Sequence, residues 1–164
     1  MSIAVAFLDR DDPRFDQLAP LFRKYYESMG DKGLMLPLVE NGEQLWLESL
    51  RKSLGRFYQL VAAIDGNTIV GFVFGYVRIT QPYLGSLKVG FWDGLYLEAE
   101  YRKGSTVLRM IRLLEGWFKD QRVHSCELQV LVGNEHTWRL WEGLGYKSEL
   151  YQMRRIFPNR AGNA

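Results

Sequence analysis

The chain has 164 residues, 47% of them apolar and 14% aromatic, with 21 Lys and Arg against 19 Asp and Glu. That length suits one domain with a substantial core, and the apolar content argues against a disordered chain. The formal net charge is +2 and the basic residues are scattered among acidic ones, so the basic stripe of a nucleic-acid binder is missing. No run nears the roughly 20 apolar residues of a membrane helix.

Residues 3–8 form a short apolar run predicted as a strand. Asp12-Pro13 marks a helix start, with Asp12 as N-cap, and Phe15, Leu18, Phe22, Tyr25 and Tyr26 follow at helical spacing. Gly30-Asp31-Lys32-Gly33 ends that helix, residues 34–39 make a loop, and a second helix spans about 42–54. Residues 57–64 and 68–79 read as a hairpin around Asp65-Gly66-Asn67. A loop over 80–88 leads to a strand at 89–97, apolar on both faces except at Asp93. The longest helix covers 104–120, with Val107, Met110, Ile111, Leu114, Trp117 and Phe118 in helical register. A strand at 126–132, a helix at 134–143, a last strand at 146–156 and a polar tail at 158–164 complete the chain. The order β-α-α-β-β-β-α-β-α-β predicts an α+β fold, a mixed sheet covered by helices, in one domain over 1–157.

Two segments carry chemistry. In the first, the strand ending Tyr96-Leu97 runs through Tyr101-Arg102-Lys103-Gly104-Ser105-Thr106 into the long helix. A helix start offers unpaired N–H groups and a positive dipole end, Gly104 lets a ligand approach the backbone, and Arg102 and Lys103 add positive charge. That combination suits an anion; an ordinary helix start after a polar turn accounts for it equally well on its own. The second segment is Val132-Gly133-Asn134, a helix with Trp141 one turn before its end, then Gly145-Tyr146.

Together these segments resemble the GNAT superfamily, the acetyl-coenzyme A-dependent N-acetyltransferases. The resemblance implies a mixed, mostly antiparallel sheet flanked by helices. It implies a pyrophosphate loop at Arg102, Lys103, Gly104, Ser105 and Thr106, which is about two residues shorter than the family's and has one Gly. The pantetheine arm would lie along the backbone of Tyr96 and Leu97, with Asn134 reaching it and Trp141 packing near it. It further implies acetyl-CoA as co-substrate without a metal, and a primary amine of a small molecule or peptide as acceptor. Neither nucleic acid nor membrane is an expected partner, and a homodimer is a state the family often shows.

For the chemistry itself, Asp93 is the candidate base, since a carboxylate in apolar surroundings has a raised pKa; a buried Asp satisfied by the backbone or an Arg is the competing reading. Glu98 and Glu127 are weaker candidates. Trp141 stands where the family places a Tyr acid, and an indole N–H cannot serve as one. Tyr146 and Tyr151 are phenols without an assigned position. His124, His136 and the single Cys126 lack metal-ligand spacing, and Cys126 permits no internal disulfide. With no signal peptide in the first residues, a cytoplasmic location is expected. Tyr25, Tyr26, Trp46 and Tyr83 either line an acceptor pocket or fill the core, and Glu27, Asp31, Glu40 and Glu43 either attract an amine or are simply solvated. A CoA-binding module that keeps the fold without turnover is the alternative, motivated by Trp141 and the short loop.

Overall fold

The structure, a computed structural model, describes residues 3–158. Five strands, β1 (Ala4–Phe7), β2 (Tyr58–Asp65), β3 (Thr68–Ile79), β4 (Lys88–Leu97) and β5 (Ser125–Leu128), form one sheet in chain order. The first three pairings are antiparallel and β4–β5 is parallel. The helices are α1 (Leu18–Gly30), α2 (Gly42–Ser53), α3 (Thr106–Asp120) and α4 (Glu135–Gly143). The chain divides into two compact units between Gly133 and Asn134, within the span expected as one domain.

In the first unit the period-2 alternation of the strands splits the apolar side chains between two faces. On one face Leu60, Ala62, Phe72 and Phe74 join a core with Leu18, Leu21, Phe22, Leu47 and Leu50 from α1 and α2. The opposite face is covered by α3, which buries Met110, Ile111, Leu114 and Phe118. Phe118 can lie flat on the sheet because Gly75 and Gly90 carry no side chain: a Cβ at either would come within 2.8 and 2.7 Å of its ring. Its ring also meets Trp92 edge-on, with centroids 5.0 Å apart. Full burial of such a ring is worth roughly 1.5–3 kcal/mol.

Three sequence expectations are corrected. The first helix begins at Leu18, after a turn of 3-10 helix at Phe15–Gln17, and not at Asp12. Pro20 explains this: it has no N–H to donate and is tolerated only in a first turn. Asp12 instead accepts the backbone N–H of Arg14 at 2.9 Å and forms an ion pair with its guanidinium. The strand expected at 126–132 stops at Leu128, where its ladder with β4 ends at Trp92, the last β4 residue before an irregularity in that strand's register. The last strand expected at 146–156 is not formed. Its apolar residues Tyr146, Leu150, Tyr151, Met153 and Ile156 keep no sustained alternation, and among the described residues no strand pairs with them. Within the expected tail, residues 159–164 lie outside the described residues, as do Met1 and Ser2.

Candidate active site

The centre of the site is an irregularity in β4. Phe74 pairs with Gly94 but Gly75 pairs with Trp92, so Asp93 is an extra residue, a β-bulge. Glycine makes this geometry available, since a Cβ on Gly94 would fall 2.4 Å from the Phe74 ring. The bulge has two consequences. It turns the Asp93 side chain outward, and it coincides with the end of the β4–β5 ladder, whose last partners are Trp92 and Leu128. Beyond that point β4 keeps β3 on one side and, among the described residues, pairs with no strand on the other.

The Asp93 carboxylate faces phenols. Tyr58 on β2 donates its hydroxyl to Asp93 Oδ2 at 2.6 Å. Tyr25 on α1 and Tyr76 on β3 are close enough for the carboxylate to hold their pKa values up, beyond what burial does. Asp93 itself keeps solvent contact as a residue, yet lost hydration within this ring of phenols raises its pKa, and the Tyr58 hydrogen bond partly opposes that rise. Tyr58, Tyr76 and Phe91 are register partners across three strands and stack in a row, with centroids 5.4 and 5.2 Å apart. All three are half-buried.

The other candidate carboxylates are neutralised. Glu98 pairs with Lys24 and accepts the Tyr96 hydroxyl at 3.0 Å. Glu127 receives Arg78 Nε at 2.9 Å. Glu43 pairs with Arg23, which also reaches Glu27, while Asp31 and Glu40 are exposed. Of the aromatics, Trp46 stacks on Phe22 at 4.0 Å and packs with Tyr25 and Tyr26 against the core, whereas Tyr83 is exposed on its loop. Cys126 sits in the β4–β5 ladder with its sulfur over Gly90.

At the end of β4 the chain makes a 3-10 turn at Ala99–Tyr101 and enters α3. Gly104 has φ +94° with open space on its Cβ side, a conformation costly to any other residue. Ser105 is the N-cap, but its side chain makes no capping hydrogen bond. The N–H groups of the first turn therefore keep their capacity for an anion. Thr106 is buried beneath them, and Lys103 and Arg109 line an open cavity of about 550 Å³ together with Tyr101, Asp65 and Glu100; Arg109 also donates to the Ile3 carbonyl at 2.9 Å. Arg102 is turned the other way, with Nε donating to the Leu97 carbonyl at 2.7 Å and the guanidinium over the Tyr96 ring.

In the second unit Asn134 is the N-cap residue of α4 without a side-chain capping bond, so its amide is not consumed by its own helix. Trp141 is buried and meets the Tyr146 ring edge-on at 5.2 Å. Tyr151 is exposed.

Sequence reading missed Tyr58, Tyr76 and Arg109. Counting outward from the Gly66-Asn67 turn places Tyr58 opposite residue 75 or 76, so the first pair was within reach. The bulges at Ala63/Ile64 and Phe74/Gly75, which set the final register, were not. Arg109 lies one turn into α3 from Ser105, where helical spacing alone could have brought it to the loop.

Comparison with known proteins agrees with this architecture. Among curated proteins none matches the chain. Among solved structures, the ribosomal-protein-alanine N-acetyltransferase from Brucella melitensis biovar Abortus 2308 superposes with a TM-score of 0.70 at 18% identity, covering 96% of this chain and all of that one. A tetramutant of a Bacillus halodurans protein gives 0.75 at 16% identity over 94% and 99% of the two chains. The aminoglycoside N-acetyltransferase AAC(6')-Iy in complex with CoA gives 0.71 at 12% identity over 98% and 96%. At these identities the likeness shows a shared fold. The model of the acetyltransferase (GNAT) family matches residues 15–146. The chain belongs to the acetyltransferase (GNAT) family, and with it to the N-acetyltransferases.

Proposed function

We propose that the protein transfers the acetyl group of acetyl-CoA directly to a primary amine, with Asp93 as the base. The observation that carries this reading is the bulge at Asp93, which puts one carboxylate of raised pKa where β4 loses its β5 partner.

The residues present fit the co-substrate. Gly104 leaves a cradle that a side chain would fill, and the first turn of α3 has no side-chain cap to displace. Lys103, Gly104, Ser105 and Thr106 would hold the pyrophosphate through backbone N–H groups, hydroxyls and one ammonium. Arg102, tied to Leu97, fixes the corner between β4 and the loop. The unpaired side of β4 offers the backbone of Tyr96 and Leu97 to the pantetheine amides. The family resemblance adds Asn134 and Trp141, whose amide is not spent on capping and whose indole is buried.

Acetyl-CoA supplies the thioester. The substrate ammonium loses one proton to Asp93, the amine nitrogen forms the new C–N bond as C–S breaks and then releases its second proton to solvent, and the thiolate takes a proton from solvent. Asp93 suits this part because its raised pKa brings its basicity closer to that of the amine. Tyr58 holds the carboxylate in place and, with its own pKa raised, stays protonated throughout.

The test is Asp93→Asn. It should leave acetyl-CoA affinity intact and lower kcat/KM for an amine by about 10²–10⁴, the usual worth of a positioned base. Unchanged kcat across pH 6 to 9 would remove Asp93 from the chemistry. Tight binding of acetyl-CoA without CoA release from any amine would instead support a binding module.

A further inference from the structure

We propose that the acceptor is a small monoamine with an uncharged aromatic body, an arylalkylamine, and not a polycation such as a polyamine or an aminoglycoside. This rests on the acetyltransferase reading above and narrows its acceptor.

The first part of the argument is charge. Asp93 accepts a hydrogen bond from the neutral phenol of Tyr58, whereas Glu98 and Glu127 each have a cationic partner. Its neighbours along the strands are already satisfied: Glu127, opposite Phe91 in the β4–β5 register, by Arg78, and Glu98, at the end of β4, by Lys24. The phenols of Tyr25, Tyr58 and Tyr76 all have raised pKa values and contribute no negative charge at neutral pH. The site therefore presents a net charge of about −1, which one ammonium neutralises. A second or third cationic group on the acceptor would find Glu127 and Glu98 already paired with Arg78 and Lys24. Each further cationic group therefore gains no ion pair at the site and adds repulsion from these cations.

The second part is shape and polarity. The row Tyr58, Tyr76, Phe91 runs across the sheet beside Asp93 with its rings half-buried. The surface next to the carboxylate is thus aromatic edge and hydroxyl. A planar apolar group attached one or two carbons from the nitrogen would cover it while the nitrogen stays at Asp93. A sugar or polyamine chain would leave its own polar groups against ring carbon.

The experiment is calorimetric titration of phenethylamine, spermidine and kanamycin into the protein alone and into protein saturated with CoA, followed by CoA-release assays with the same three amines. Phenethylamine should bind and turn over with kcat/KM at least tenfold above the other two. Asp93→Asn should abolish its binding, and Phe91→Ala should raise the ratio of its KM to that of ethylamine, which lacks the ring, at least fivefold. Tighter binding of spermidine or kanamycin, or no binding of phenethylamine in either state, overturns the proposal. If phenethylamine binds but acetyl-CoA does not, the acceptor site stands and the co-substrate assignment falls.

Discussion

Gly104 and Gly116 make a pair that tests the phosphate loop. Neither would bring a Cβ within 4 Å of another group, so steric crowding separates them not at all. They differ in backbone: Gly104 has φ +94°, while Gly116 lies inside α3. Alanine at 104 must adopt a conformation that costs an L-residue about 1–2 kcal/mol. Alanine at 116 gains about 0.8–1.0 kcal/mol in helix propensity. At about 2–4 °C per kcal/mol for a chain of this size, Gly104→Ala should lower Tm by roughly 2–8 °C and Gly116→Ala should raise it by a few degrees. The new methyl group at 104 also occupies the space through which a pyrophosphate would approach the N–H groups. Losing one or two charge-assisted hydrogen bonds, about 1.5–3 kcal/mol each, means at least tenfold weaker acetyl-CoA binding. Gly116→Ala should leave affinity unchanged. Differential scanning calorimetry and isothermal titration read both effects. An unaltered Kd for Gly104→Ala would show that the pyrophosphate lies elsewhere, and a raised Tm would contradict the left-handed backbone.

Three further outcomes follow from the geometry. Tyr58→Phe removes a hydrogen bond that lowers the pKa of Asp93, so the acidic limb of the kcat/KM profile should move to higher pH; a limb that stays in place would detach Tyr58 from the base. Phe118→Ala empties a fully buried ring site between Gly75, Gly90 and Trp92 and should cost about 3–5 kcal/mol by urea denaturation; a loss under 1 kcal/mol would mean the α3 face is loosely packed. Asp12 has its pKa lowered from 3.8 to about 2, chiefly by the hydrogen bonds from the side chain and backbone of Arg14. Its contribution is therefore present above about pH 4 and lost as pH falls through 2. Urea midpoints of wild type and Asp12→Asn should differ at pH 6 and converge at pH 2; a constant difference would refute that.

How much of this was legible beforehand depends on which physics was local. The 68–79 strand, the 42–53 helix and the long helix after Gly104 were readable because their patterns are long and self-contained. Asp93 stood out because a lone carboxylate interrupts an apolar strand. Its environment was not readable: the bulge depends on ladder register, and Tyr58 lies 35 residues away on another strand. Arg102 was readable as a residue of the loop, but the hydrogen bond from its Nε to the Leu97 carbonyl was not. The strand expected at 146–156 failed for the same reason: a strand needs a ladder partner, and pairing is not written in the local sequence.

The central claim is best tested by calorimetric titration of the purified protein with acetyl-CoA, with CoA and ATP as controls. Binding should be micromolar, about −8 kcal/mol, shared by CoA and not by ATP. No binding at millimolar acetyl-CoA would contradict it.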